Sequence, residues 1–129
     1  MIQISTALND YRLGAVINFL AIGTTNASVR IYDGARPALG GTPTGNLLST
    51  ILLVEPIGEV ADGLLTVTPT GEALIETSGQ ATWARIVNGD GALAWDCDVS
   101  DQNGTGELRL PSTTLYAGGY TRIVSGLLG

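Results

Sequence analysis

The chain has 129 residues, with six arginines and no lysine, no histidine and twelve acids, for a formal net charge of −6. That length makes one domain, residues 1–129, able to bury about two thirds of its unfolded surface, so its core requires no disulfide or metal. The acidic balance excludes the basic footprint of a nucleic-acid binder and the basic stripe that anionic lipid attracts, and the missing histidine excludes Ser-His-Asp and Cys-His catalysis.

Charged residues are only 14% of the chain, well below the usual quarter. A sparsely charged surface implies that part of it faces protein. One cysteine, Cys97, allows no internal disulfide and reads as synthesis in a reducing cytoplasm. The N-terminal stretch lacks the basic region of a signal peptide, and Asn18 interrupts its apolar part. No apolar run approaches the ~20 residues that span a bilayer.

In chain order, the spacing of Leu13, Val16, Ile17 and Leu20 predicts one amphipathic helix over about residues 9–22, capped by Asn9 or Asp10 and stopped by Gly23. Ser28 to Asp33 alternates, with Val29 and Ile31 on one face and Arg30 and Tyr32 on the other. Gly34 to Gly45 is rich in Gly and Pro and reads as a long, functional loop. Leu47 to Val54 is almost continuously apolar and is expected to be a central strand, covered on both sides. Glu55 to Gly63 reads as a loop, Leu64 to Thr68 as a short strand, and Ala73 to Thr77 as the weakest strand.

Two β-type runs then flank Asn88-Gly89-Asp90-Gly91, which is a hairpin signal. A loop of two or four residues puts Ala84, Ile86, Leu93, Trp95 and Cys97 on one face, with Trp83, Arg85, Asp96 and Asp98 on the other. A loop of three puts both tryptophans together; the first arrangement segregates the charges and is preferred. It makes Trp95 core and leaves Trp83 partly exposed. After a turn at Asp101–Gly106 come a strand at Glu107–Leu110 and a last hairpin, Thr113–Ala117 with Tyr120–Leu127. The sum is a mainly β fold: a single β-sandwich or jelly-roll-like domain of about eight short antiparallel strands with one N-terminal α-helix.

The residues carry little chemistry. Flanking carboxylates at Asp96 and Asp98 oppose a thiolate at Cys97, so a structural cysteine is expected. Asp96, Asp98 and Asp101 with Asn103 and Glu107 are a candidate calcium cluster, but their spacing departs from an EF-hand loop, and a solvated strand edge and turn is favoured. No catalytic residue, metal ligand or cofactor site is assigned. Trp83 and Arg85 are of the types enriched at binding hot spots, although a plain cross-strand pair of Arg85 with Asp96 fits equally. With Tyr32, Arg36 and Pro37 at the entry to the long loop, they are the candidate interface residues.

The order of features also matters: a short helix, then Arg30-Ile-Tyr-Asp-Gly-Ala-Arg-Pro37, Leu47-Leu48, Thr82-Trp-Ala-Arg-Ile-Val87, and a closing Ser112-Thr-Thr…Ala117-Gly-Gly run. Over nearly its whole length the chain resembles a group of small bacteriophage and prophage proteins that lie among virion structural genes. That group often has an aromatic directly after the tryptophan, where this chain has Ala84. The resemblance implies a non-enzymatic virion component, made in the bacterial cytoplasm and located in the virion. A capsid decoration or cement protein is the first expectation, homo-oligomeric and bound to the major capsid protein or other virion proteins. A tail or neck component, or a carbohydrate- or receptor-binding fibre module, is the alternative.

Overall fold

A computed structural model of the chain describes residues 2–128. One helix, α1 (Thr6–Leu20), precedes twelve strands. These are β1 (Ser28–Tyr32), β2 (Leu47–Leu52), β3 (Gly58–Ala61), β4 (Leu64–Val67), β5 (Ala73–Leu74), β6 (Gly79–Gln80), β7 (Trp83–Val87), β8 (Leu93–Asp101), β9 (Leu108–Leu110), β10 (Thr114–Leu115), β11 (Tyr120–Thr121) and β12 (Ser125–Leu128). Eight form one curled sheet in the order β2-β1-β7-β8-β9-β12-β4-β3, and the short strands pair as β10-β6 and β11-β5. The fold is mainly β and sandwich-like, with one N-terminal helix, as the alternation predicts.

The two halves of the sheet line one hydrophobic cluster. Val29, Ile31, Leu48, Ile51, Ala84, Ile86 and Cys97 come from the first half, and Leu65, Val67, Val99, Leu108 and Leu110 from the second. β8 joins the halves. Its first part pairs antiparallel with β7, while Val99, Ser100 and Asp101 pair parallel with Leu108, Arg109 and Leu110. The expectation of a wholly antiparallel sheet is corrected here. Parallel neighbours usually need a crossover of a dozen or more residues, yet residues 102–107 suffice. Gly106 makes this possible: its N–H donates to Ser100 Oγ at 3.0 Å, and a Cβ there would sit 2.7 Å from the Ser100 nitrogen.

The helix starts earlier than its spacing predicts. Ser5 is the N-cap, its side chain accepting from the Leu8 N–H at 3.1 Å, and the helix ends at Leu20 rather than Ile22. Asn9 and Asp10 have another task. Asn9 Nδ2 donates to the Gly63 carbonyl and Asp10 Oδ1 accepts from the Gly63 N–H, at 3.1 and 2.8 Å. At the other end of the helix, the Gly89 N–H donates to the Ile22 carbonyl and Thr25 Oγ1 donates to the Gly89 carbonyl. So α1 is tied to the β3–β4 turn in one half of the sheet and to the β7–β8 turn in the other. Leu13 and Leu20 are buried and Val16 and Ile17 partly so, which is the apolar face the sequence predicts.

Three more expectations are corrected. β2 is not central: it is an edge of the eight-stranded sheet, with Thr50 and Leu52 exposed on either side of buried Ile51. The Glu55–Gly63 segment contains β3, joined to β4 by Asp62 and Gly63, both at positive φ (52° and 79°). That is the dihedral signature of a type I′ hairpin. The last predicted hairpin does not exist as such, because β10 pairs with β6 and β11 with β5.

Candidate functional site

The β7–β8 hairpin decides which side chains meet. Its turn is the three-residue kind: the Asn88 N–H donates to the Ala92 carbonyl, the Gly91 N–H to the Asn88 carbonyl, and Gly91 has φ +84°. A register shift then inserts one extra residue, so Val87 faces Leu93 but Ile86 faces Trp95, Arg85 faces Asp96, Ala84 faces Cys97 and Trp83 faces Asp98. The preferred facial assignment therefore holds along most of the ladder, and only Leu93 changes sides.

The exposure of the two tryptophans is the reverse of the expectation. Trp83 is 1% exposed, and Trp95 packs only partly buried against the core cluster. Trp83 lies on the sheet face away from the main core, where Tyr32 of β1 is its direct cross-strand neighbour. The two rings stack at 4.6 Å with an interplanar angle of 13°, and the Arg85 guanidinium carbon lies 5.3 Å from the Trp83 ring centroid. Such a cation–π contact gains strength when it is desolvated.

The Gly34–Gly45 loop covers this stack. Its base is closed by Asp33 and Asn46: the Asp33 N–H donates to the Asn46 carbonyl, and the Asn46 N–H to Asp33 Oδ1. Over the stack, Arg85 Nη2 donates to the Gly41 carbonyl at 2.9 Å and the Gly40 N–H to Asp96 Oδ2 at 3.4 Å. Arg36 reaches Asp98 at 3.4 Å. Arg85 also grips Asp96 through Nε and Nη2, at 2.8 and 3.0 Å. These two side chains are 11% and 4% exposed, so the pair is buried. The Asp96 hydrogen bond raises the guanidinium pKa above its ordinary value, holding Arg85 charged. Trp83 Nε1 is buried without a hydrogen-bond partner.

The structure thus brings together the five residues singled out in the sequence, Tyr32, Trp83, Arg85, Arg36 and Pro37, around one loop and one sheet face. It gives Tyr32, Trp83 and Arg85 the role of a platform beneath the loop. The loop's outer side presents Ala38 and Leu39, with Arg36 partly exposed and Pro37 half-buried.

The acidic cluster is dispersed among separate partners. Asp96 goes to Arg85, Asp98 to Arg36, and Asp101 Oδ1 accepts from the Asn103 N–H in a local turn. No group of three or more His, Cys, Asp or Glu side chains poised for a metal ion occurs among the described residues. Cys97 is buried, and its thiol is pushed up to about 12 by that burial first, then by Glu107. The sequence named the flanking carboxylates as the cause. Asp96 lies on the opposite sheet face, and Asp98 is a minor contributor.

Other exposed apolar groups lie outside the candidate interface. Ile2, Ile4, Leu8 and Tyr11 project from the N-terminal segment and α1. Beside Tyr11, a groove of about 550 Å³ runs between α1 and Val60. Tyr116 and Tyr120 bracket the Ala117-Gly118-Gly119 turn and line a cleft of about 180 Å³ with Pro111, Ser112 and Thr114. Two backbone hydrogen bonds fix that turn to Ile75. No helix among the described residues is long and apolar enough to cross a membrane. No protein-family model matches the chain, and neither the curated proteins nor the solved structures compared with it gave a match.

Proposed function

We propose that this chain is a non-enzymatic structural protein of a bacteriophage virion, and that within the virion it decorates and stabilises the head shell. One observation carries the reading. Large apolar side chains stand exposed on ordered elements, as with Tyr11 on α1, Leu39 on the closed loop and Tyr120 on β11, in a chain with few charges. Exposed aromatic and aliphatic side chains of this kind are what a protein interface covers at its centre. The resemblance of the Arg30–Pro37 segment and the Thr82–Val87 strand to phage virion proteins supplies the class of neighbour: the major capsid protein or another shell component.

Mass spectrometry of separately purified heads and tails tests the placement. The protein is expected in heads at a fixed ratio to the shell protein, and heads assembled without it are expected to break at lower temperature. Recovery in tails alone would move it to a tail or neck role.

The cleft between Tyr116 and Tyr120 favours a second reading, a carbohydrate-binding module, because exposed aromatic faces beside hydroxyls suit a sugar ring. On a glycan array this reading expects hits that Tyr116→Ala removes. An array without hits ends it.

A further inference from the structure

The helix α1 carries apolar residues on two opposite sides. Leu13, Val16, Ile17 and Leu20 pack into the core cluster or against it. Leu8, Tyr11, Ala15 and Asn18 follow one another at alternating spacings of three and four, which lines them up as one ridge on the far side. All four are exposed, Leu8 at 50% and Tyr11 at 82%. A helix that is apolar all round is normally covered all round.

Beside the ridge stands a glycine that its own chain does not explain. Glycine is the poorest helix former after proline, yet a Cβ added at Gly14 would meet nothing within 4 Å. Gly14 lines the groove of about 550 Å³ together with Tyr11, Ala15, Asn18 and Val60. Gly14 and Ala15 thus make a low saddle one helical turn from the tall Tyr11. We propose that α1 packs antiparallel against α1 of a second copy of this chain, with Tyr11 of each copy seated in the groove over Gly14 and Ala15 of the other. Residues this small at the contact let two helix axes approach to about 8 Å.

Three observations select a second copy as the occupant. Knob and saddle sit on the same helix, so one two-fold axis satisfies both at once, as an isologous interface requires. The register that sets Tyr11 opposite Ala15 also sets Leu8 opposite Asn18 and Thr6 opposite Leu20, so the two helices overlap along their whole length. Charge is complementary in that arrangement. The first turn of α1 holds no acid and its last turn no base, so neither end of its dipole has a countercharge on the helix. An antiparallel copy lays each end beside the opposite one. The ridge itself is uncharged, which lets two chains of net charge −6 meet on it. The inference stands apart from the virion reading.

Light scattering on the full chain tests the assembly. The native chain is expected to exceed its 13.3 kDa monomer mass. Tyr11→Ala removes the knob and is expected to weaken the dimer about tenfold or more. Gly14→Leu fills the saddle with a better helix former. It is expected to return the chain to monomer mass, with the native circular dichroism spectrum and with thermal unfolding, at a dilution where both chains are monomers, no easier than that of the native chain. Cross-linking reads the orientation. A mixture of Leu8→Cys and Asn18→Cys chains under mild oxidation is expected to give a disulfide-linked dimer containing one of each, and Cys97 is buried and should not compete. A native chain that stays monomeric at millimolar concentration would leave the ridge to an unlike partner and overturn the proposal. So would a Gly14→Leu chain that still dimerises, or a Leu8→Cys chain that links only to itself, the mark of a parallel pair.

Discussion

Arg85 holds three things at once: the Trp83 ring, the Asp96 carboxylate and the Gly41 carbonyl. Removing it leaves a carboxylate that is 4% exposed with no countercharge. Arg85→Met is therefore expected to cost about 3–5 kcal/mol, read as a lower urea midpoint. Replacing both partners, Arg85→Met with Asp96→Leu, should recover much of that loss, because the cost lies in the orphaned charge. Trp83 carries an unmet donor at Nε1. Trp83→Phe removes that donor with part of the ring, so it should cost less than Trp83→Ala, for which about 3–5 kcal/mol is expected; the same urea series compares them.

Cys97 makes a pH-dependent prediction. Its folded-state pKa is about 12 against an ordinary 9.0. Above pH 9 the unfolded chain releases the thiol proton while the folded chain keeps it, so unfolding sheds a proton and stability falls as pH rises from 9 towards 12. Below pH 9 this contribution is constant. Cys97→Ala should show a shallower alkaline loss than the native chain in paired denaturation series. A maleimide should label Cys97 only in denaturant.

At the scale of elements, α1 acts as a brace between two hairpin turns. Asp10→Ala removes the hydrogen bond that the Gly63 N–H donates to a carboxylate, a type worth about 1.5–3 kcal/mol. Amide hydrogen exchange should then accelerate in the β3–β4 turn and the first turns of α1, with the β7–β8 turn unaffected. Gly89→Ala should loosen the opposite end, because a Cβ there would collide with the Thr25 carbonyl oxygen. Exchange that rises evenly over the whole chain in both variants would mean that α1 does not join two separately anchored ends.

The segments holding β1, β4, β5, β7, β8, β9, β10, β11 and β12 read as strands in the sequence, and those with room for a period of two, β1, β7, β8 and β9, also showed their faces. β6, with two residues, gave no signal, and β5, β10 and β11, two residues each, gave no sign of their partners. β3 was available in principle, since Asp62-Gly63 is a hairpin dipeptide, but Pro56 and the nearby acids disguised the strand as a loop. The continuous apolar run of β2 reported a strand that wants cover, not the identity of its neighbours. Burial of Trp83 was invisible for a similar reason. The loop that covers it comes from a distant part of the chain, and neither Trp83 nor Arg85 encodes its arrival. Of the candidate interface, the grouping of residues was readable from the hairpin and its face, while their exposure depended on tertiary packing.

At the scale of the whole molecule, the surface holds several apolar features of different kinds: the N-terminal segment with α1, the loop tip at Leu39, the β2 edge and the two tyrosines of the cleft. A shell protein that touches both like and unlike neighbours would use more than one of them. Leu39→Asp, Tyr11→Ala and Tyr116→Ala should each leave the fold intact, as these side chains stand in solvent. Occupancy on purified head shells, measured by co-sedimentation, should fall for whichever of them faces the shell. If all three bind as the native chain does, the contact lies elsewhere.

The passage of β8 from one half of the sheet to the other also sets what this architecture tolerates. Surface connections normally accept foreign insertions, and residues 102–107 contain exposed positions that invite one. Yet they return the chain alongside the strand it has just left, with Gly106 pressed against Ser100. A peptide tag placed there should disconnect the halves and yield insoluble product, whereas the same tag at the exposed Gly71, where added atoms meet open space, should be carried without loss of soluble yield. An engineer wishing to display cargo on this scaffold should choose the second position.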